Sequence, residues 1–288
     1  MQYDITVIIV NWRVRDLLER CLESIIANKD GLNIEIYVVD NDSRDGTSEM
    51  IMMEFPEVKV LAMARNLGFA RANNLAIKQA SGKHIFLLNP DTEIKPGFFK
   101  SIYAYMEDNP EVGIIGPRIL NSDGSIQASI RRFPDIFSHI LIMLKLRNIL
   151  VENKFLKHYF LVDFDYGREQ AVDQIMGAAM MIRRSVFEKI GTFDEKFFVW
   201  FEEVDFCLRA SKNGIKIMYY PGAEIFHIGG ESFNQEAVVR KQIIFNKSLL
   251  RYFLKHKPIG QWIIMLILTP INLLLTIAYA ISKSKRRP

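Results

Sequence analysis

The sequence predicts an α/β fold: a mostly parallel sheet flanked by helices, followed by a C-terminal apolar helical segment. Three observations lead there. Continuous apolar runs alternate with segments of helical spacing through the first half of the chain, the pattern of strands covered on both faces by crossover helices. Polar clusters recur where those runs end, at Asn11, at Asp40 to Ser43 and at Asn89 to Thr92, and such sheets bind ligands at the carboxyl ends of their strands. No charged residue occurs from Pro258 to Ser282, so that segment is apolar at the length of a long helix.

Residues 5–10 form an apolar first strand. Residues 14–27 carry Leu17, Leu18, Cys21, Leu22 and Ile25 at helical spacing. A second strand covers 34–39 and ends at Asp40, a short helix 47–55, a third strand 58–62, a helix 69–80 and a fourth strand 84–88. The second half is less regular. Residues 133–160 are apolar and basic, with Ile140, Leu141, Leu144, Ile149 and Leu150 among Lys145, Arg147, Lys154 and Lys157; they read as a surface helix against the core or as an interfacial helix touching membrane. Residues 174–182 read as a buried segment with small residues at its centre, 201–212 as a helix with an acidic start, 216–220 and 224–228 as two short strands, and 237–253 as an amphipathic helix. Residues 259–281 as a helix would be about 34 Å long, enough for a hydrocarbon core of roughly 30 Å. Pro270, Asn272 and Gln261 interrupt that run, which leaves open a membrane span or re-entrant helix, a core helix, or an oligomer contact.

Composition narrows the function. With 288 residues, 49% hydrophobic and 24% charged, the chain is neither disordered nor of low complexity. Two cysteines, Cys21 and Cys207, exclude a disulfide scaffold and a four-thiolate zinc site, and read as small buried hydrophobes. The net charge of +4 is uneven: seven basic and no acidic residues follow from Arg251 onward, leaving the rest at −3. A mildly acidic body argues against nucleic-acid binding, whereas a basic tail beside an apolar run suits anionic lipid. Residues 1–4 lead into the first strand with no basic leader or cleavage site, so a cytoplasmic domain is expected.

Several segments carry chemistry, each with a plainer alternative. The Gly-rich signatures of dehydrogenases and P-loop NTPases are absent. VVDNDSRDGT, residues 38–47, places Asp40 and Asp42 at a strand end; Asp40 can accept a hydrogen bond from a nucleobase imide, or the segment is a strand–turn–helix junction without ligand. RNLGFARANN, 65–74, offers Arg65, Asn66 and Gly68 beside a helix start, for a nucleotide or as an ordinary cap. LLNPDT, 87–92, ends a strand in Asn89 and Asp91; one carboxylate there can hold a hard divalent cation that takes its other ligands from phosphates and water, though such sequences also make simple turns. In FDEKFFVWFEEVDFCLRA, 193–210, Glu202, Glu203 and Asp205 sit among aromatics including Trp200. Adjacent glutamates cannot share a helix face, so one is expected to enter a site while its neighbour points elsewhere. Aromatic surroundings would raise a carboxylate toward neutral pH, which suits a general base; a solvated acidic helix start is the alternative. His227, in AEIFHIGG, 223–230, is a second candidate metal ligand or a satisfied core histidine.

Taken together, IIVNW, VVDNDSRDGT, RNLGFARANN, LLNPDT, MGAAMMIRRSVFEKIGTFDEKFF, FEEVDFCLR and IFHIGG occur in an order that resembles family 2 glycosyltransferases of the GT-A fold, especially the bacterial rhamnosyltransferase-like branch, over residues 6–230. The resemblance implies a Rossmann-like nucleotide-binding sheet in a domain 1–256. About 1–120 would hold the nucleotide sugar and metal, about 121–256 the acceptor and base, and 257–288 would be a membrane-associated helix and tail. It further implies that Asn11, Asp40, Asp42, Arg65, Asn66, Gly68, Asn89 and Asp91 bind the nucleotide sugar, with Asp40 on the base and Asn89 replacing the first Asp of the DxD motif. Asp91 and His227 would hold Mg²⁺ or Mn²⁺. Glu203 would be the general base where the family motif has Asp, with Glu202 the second choice, and Trp200 and Asp205 would serve the acceptor or support the helix. The activity implied is inverting transfer of a sugar, L-rhamnose from dTDP-rhamnose first, to a saccharide acceptor, lipid-linked at the inner face of the cell membrane, in cell-surface polysaccharide synthesis. Two rivals are a nucleotidyltransferase acting on sugar phosphates and a non-catalytic sugar-binding protein of the same fold.

Overall fold

The computed structural model describes residues 3–229 and 236–284; Gly230 at the end of the 223–230 motif and the basic residues from 285 onward lie outside them. β1 (Tyr3–Asn11), α1 (Arg15–Ala27), β2 (Ile34–Asp40), α2 (Thr47–Glu54), β3 (Val58–Ala62), α3 (Phe69–Ile77) and β4 (Gly82–Leu88) make the parallel half of the sheet. Alternation along β1 explains the two layers. Ile5, Val7 and Ile9 pack with Leu18, Cys21, Leu22 and Ile25 of α1, while Ile8 packs on the other face with Ala70, Ala72 and Ala76 of α3. Both cysteines are buried and free. The register pairs Asn11 with Asp40 and Ile9 with Leu88, so the polar residues following these strands collect along one edge.

Next come β5 (Thr92–Ile94), α4 (Phe98–Asp108), β6 (Val112–Leu120) and β7 (Ile130–Arg131), where the sequence reading assigned no element. α5 (Ile136–Met143) and α6 (Lys154–Phe160) replace the single helix expected over 133–160: Lys145 takes φ 60°, which no continuing α-helix accommodates. After β8 (Gln170–Ala171) and β9 (Gln174–Ile175), β10 (Ala179–Arg183) enters the main sheet antiparallel between β4 and β6. Then follow α7 (Arg184–Ile190), α8 (Glu202–Lys212) and β11 (Lys216–His227). β11 is one strand, not two. Its register slips between Tyr220 and Glu224, so Pro221 and Gly222 occupy a bulge where a missing N–H breaks no ladder. The main sheet runs β3–β2–β1–β4–β10–β6–β11–β5, with β8 also on β11; β7 and β9 pair separately.

α9 (Val238–His256) and α10 (Ile259–Ser284) close the chain. A third apolar cluster joins Met143 of α5, Phe197, Phe201, Val204, Leu249 and Phe253 of α9 and Met265 of α10. α10 is thus a flank of the folded unit along one side, while most of its remaining surface is exposed. By length and composition alone it could also cross a membrane.

Candidate active site

A cavity of about 420 Å³ opens at the carboxyl edge of the sheet. Its wall takes Asn66, Gly68, Asn89 and Asp91 from the strand ends, Glu202 and Glu203 from the start of α8, Trp200 before it, and His227 from the end of β11. Eight sequence-predicted residues therefore meet in one place. Met176, Gly177 and Ala178 form part of the same wall, so the small-residue centre of 174–182 lies at the cavity.

Five predicted residues are not in that wall, each for a local reason. Asn11 is buried and its amide donates to the Ser43 and Thr47 hydroxyls at 3.2 and 3.0 Å. Asp40 accepts from the Ser43 N–H at 3.1 Å and the Ser48 hydroxyl at 2.7 Å. Both brace the turn that carries Asn41, whose amide does line the cavity and donates to Asn66 Oδ1 at 3.0 Å. Asp42, at φ 66°, pairs with Arg44 at 2.7 Å, and Arg65 is exposed. Asp205 binds Arg209 of its own helix at 2.9 Å and faces α9, where it binds His256 and Lys255 at 2.6 Å. It supports the helix and does not reach an acceptor in the cavity.

Asp91 and His227 come together through the sheet. β5 pairs antiparallel with β11, setting Thr92 opposite His227, and the Ile228 N–H donates to the Asp91 carbonyl at 3.0 Å. His227 Nε2 lies 3.3 Å from Asp91 Oδ1. Gln127 orients the ring. Its amide donates to Asn121 Oδ1 at 2.8 Å and to the His227 carbonyl at 3.2 Å, so its Oε1, 2.7 Å from His227 Nδ1, accepts the imidazole proton. This fixes the tautomer with the Nε2 lone pair toward Asp91. Two acceptor atoms facing one another at that distance fit a cation held between them. No group of three or more His, Cys, Asp or Glu ligands occurs among the described residues; a divalent ion there would complete its shell from phosphate oxygens and water, as Mg²⁺ usually does.

Glu202 and Glu203 both line the cavity, contrary to the expectation that one would point away. They are the first two residues of α8, where side chains lean toward the open N-terminal end of the helix. Each has a buried Oε2 without a hydrogen-bond partner among the described residues. Burial pushes the Glu202 carboxyl well above the usual range, and the Glu203 charge adds to it; burial also raises Glu203, with Arg131 opposing. Trp200 and Phe201 hold φ of 65° and 69° just before them, a left-handed pair that costs non-glycine residues roughly 1 kcal/mol or more each. The same loop is clamped from the other side: the Phe69 N–H donates to the Phe198 carbonyl at 2.6 Å, and a Cβ on Gly68, at φ +80°, would stand 2.2 Å from that oxygen.

The sequence reading passed over Trp12, Asn41, Phe69, Gln127, Glu236 and Arg240. Of these, Trp12 and Asn41 adjoin residues it selected, and Phe69 lies inside a selected motif. Gln127 and Arg240 gave no signal, because their relation to the cavity is made only by the fold.

The family model described as Glycosyl transferase family 2 matches residues 6–191, more than half of the chain. The chain belongs to glycosyl transferase family 2. A second model, described as the N-terminal domain of galactosyltransferase, matches residues 158–230 of this family 2 chain. A relative from Mycobacterium tuberculosis (strain CDC 1551 / Oshkosh), named N-acetylglucosaminyl-diphospho-decaprenol L-rhamnosyltransferase, is 26% identical over 240 residues, covering 80% of this chain and 77% of that protein. Among solved structures, GalNAc-T7 with UDP, GalNAc and Mn²⁺ has a TM-score of 0.60 at 18% identity over 78% of this chain and 43% of that one. The mannosyltransferase PcManGT from Pyrobaculum calidifontis, in complex with GDP-Man and Mn²⁺, has a TM-score of 0.58 at 17% identity over 100% of this chain and 76% of that one. These two likenesses establish the GT-A fold of the family 2 chain.

Proposed function

We propose that this glycosyltransferase is metal-dependent and inverting, and moves a sugar from a nucleoside diphosphate to a saccharide hydroxyl. The observation that carries the reading is one cavity with the Asp91–His227 acceptor pair and the Glu202–Glu203 pair both in its wall. Asn41, Asn66, Gly68 and Asn89 bind the donor, and Asn11 and Asp40 act on that pocket by bracing its turn. Asp91 and His227 hold Mg²⁺ or Mn²⁺, in keeping with the Mn²⁺ present in both structural neighbours. A divalent ion there supplies neutralisation of the charge that grows on the leaving diphosphate.

Glu203 takes the proton of the acceptor hydroxyl. It is less enclosed than Glu202, so of the two neighbouring buried carboxyls it is the one that ionises, and Glu202 keeps its proton. Trp200 offers an aromatic face to the acceptor ring. Attack from the side opposite the diphosphate inverts the anomeric carbon, and no covalent enzyme intermediate is required. From the mycobacterial relative's name we carry over L-rhamnose as the first sugar to test, supplied as dTDP-rhamnose, and a lipid-diphosphate-linked saccharide as the acceptor, in cell-envelope polysaccharide synthesis at the cytoplasmic face of the membrane. Residues 1–256 then make the catalytic domain and 257–288 its membrane-facing addition. A nucleoside-diphosphate release assay over a panel of nucleotide sugars and acceptors, with Mn²⁺, Mg²⁺ and EDTA, tests this. Release with one donor that EDTA abolishes is the expected result; turnover unaffected by EDTA would refute the metal assignment.

A further inference from the structure

We infer that α10 lies in the plane of an anionic membrane surface and does not span it, and that the α5–α6 turn docks beside it as part of the same apolar face. This deepens the membrane side of the proposed function and rests on that reading.

A two-residue connection, Lys257 and Pro258, folds α10 back antiparallel along α9. Met265 is fully buried in the cluster with Leu249 and Phe253, and eleven residues on the Thr276 hydroxyl lies 3.5 Å from Gln242 Oε1. α9 therefore accompanies α10 over most of their common length. It carries Lys241, Lys247, Arg251 and Lys255, and Arg251 and Lys255 are paired with Asp194 of the catalytic body. If α10 crossed the bilayer it would draw these charges into hydrocarbon, where they are strongly disfavoured. A helix in the plane leaves them at the headgroups or in water.

The outward face needs a cover of its own. Ile267 is 61% exposed and Leu274 67%, and Ile271 and Ile281 continue that side. Close by, the Asn272 amide donates to the Met143 carbonyl at 2.7 Å, and the Lys145 ammonium binds Gln242, the residue that also meets Thr276. These contacts set the α5–α6 turn against the second half of α10. That turn shows Ile149, 72% exposed, and Val151 to solvent, next to Arg147 and Lys154, with Glu152 taken up by Lys157. Apolar side chains interleaved with cations on two separate elements match the interface of an anionic leaflet. Arg240 and Ile244, which flank Gln242 on α9, line the catalytic cavity, so this placement sets the cavity beside the leaflet from which a lipid-linked acceptor enters.

The test has two arms, both on the full chain. First, Ser282→Cys is probed with a membrane-impermeant maleimide in inside-out and right-side-out vesicles, with Lys247→Cys as the marker of the catalytic side; native Cys21 and Cys207 are buried. Both positions are expected to label in inside-out vesicles only. Labelling of Ser282→Cys in right-side-out vesicles, with Lys247→Cys still confined to inside-out ones, means a span and overturns the inference. Second, purified protein is sedimented with phosphatidylglycerol or phosphatidylcholine vesicles. Binding is expected to favour the anionic vesicles and to weaken with salt. It is expected to fall at least about tenfold both in Ile267→Asp/Leu274→Asp and in Ile149→Asp/Val151→Asp. Loss in the first pair without loss in the second removes the α5–α6 turn, and absence of vesicle binding with a stable dimer in solution assigns the face to a second copy; either result overturns the proposal. Calorimetric binding of the nucleotide sugar, expected unchanged in both variants, separates failure of this inference from failure of the catalytic reading.

Discussion

Two neighbouring carboxyls buried in one cavity wall resist being ionised together, and this governs what Glu202 and Glu203 do. Glu203→Gln is expected to lower transfer at least ~100-fold with donor binding retained by calorimetry; near-normal turnover would remove Glu203 as the base. Because both carboxyls are raised, the acid limb of kcat/KM should fall above the ordinary carboxylate range and move when Glu202 is replaced by Gln. A carboxyl whose pKa is higher in the native state favours folding at low pH and loses that contribution as pH rises. Glu202→Gln should therefore melt higher than the parent at pH 7, with the gap closing toward about pH 4; an equal gap at both pH values would contradict a raised Glu202 carboxyl. At the other side of the cavity, Gln127→Ala frees the His227 ring to turn or change tautomer. Losing such a partner typically weakens metal binding 10- to 100-fold, so the Mn²⁺ concentration for half-maximal donor binding should rise by at least ~10-fold. No change would show that the Gln127 contact is incidental.

Elements differ in how plainly they announce themselves. β1, β2 and β4 are predominantly apolar runs with a polar residue at or just past the end, so both their existence and the edge where the site forms were legible. β6 was not, because Gly113, Gly116 and Pro117 interrupt its apolar pattern; the glycines answer to Ile215 and Ile175, which would meet any Cβ there within 2.4 Å. Residues 133–160 keep helical spacing across a left-handed Lys145 that spacing alone does not reveal. Residue types identified Asp91, His227, Glu202 and Glu203, but their meeting depends on the short β5–β11 ladder and on a helix start, and Asp205 looked like a site residue because its partners on α9 are some fifty positions away. The Gly68 turn is the element most sensitive to a single atom. Gly68→Ala is expected to destabilise the fold by about 2 kcal/mol and to disturb the 198–201 loop, read as a lower melting temperature with poorer acceptor use; an unchanged protein would mean the turn relaxes freely.

Across the whole molecule, the apolar C-terminal helix serves the interior as well as the exterior. Deleting 259–288 removes Met265 and its neighbours from the third cluster and uncovers Leu249 and Phe253. Such a truncation should give a destabilised, aggregation-prone protein instead of a cleanly released soluble enzyme, to be checked by sedimentation and thermal melting; a monomer of unchanged stability would show that α10 contributes nothing to folding. A different consequence follows from β10. This strand comes from the later part of the chain, yet it is hydrogen-bonded on both sides within the middle of the sheet, to β4 and to β6. The donor and acceptor ends of the cavity therefore share one backbone lattice, and neither can be exchanged as a cassette without rebuilding the other. New specificities in this architecture are more accessible through small edits at the rim, in the 198–201 loop or the first turn of α9, than through recombination of halves.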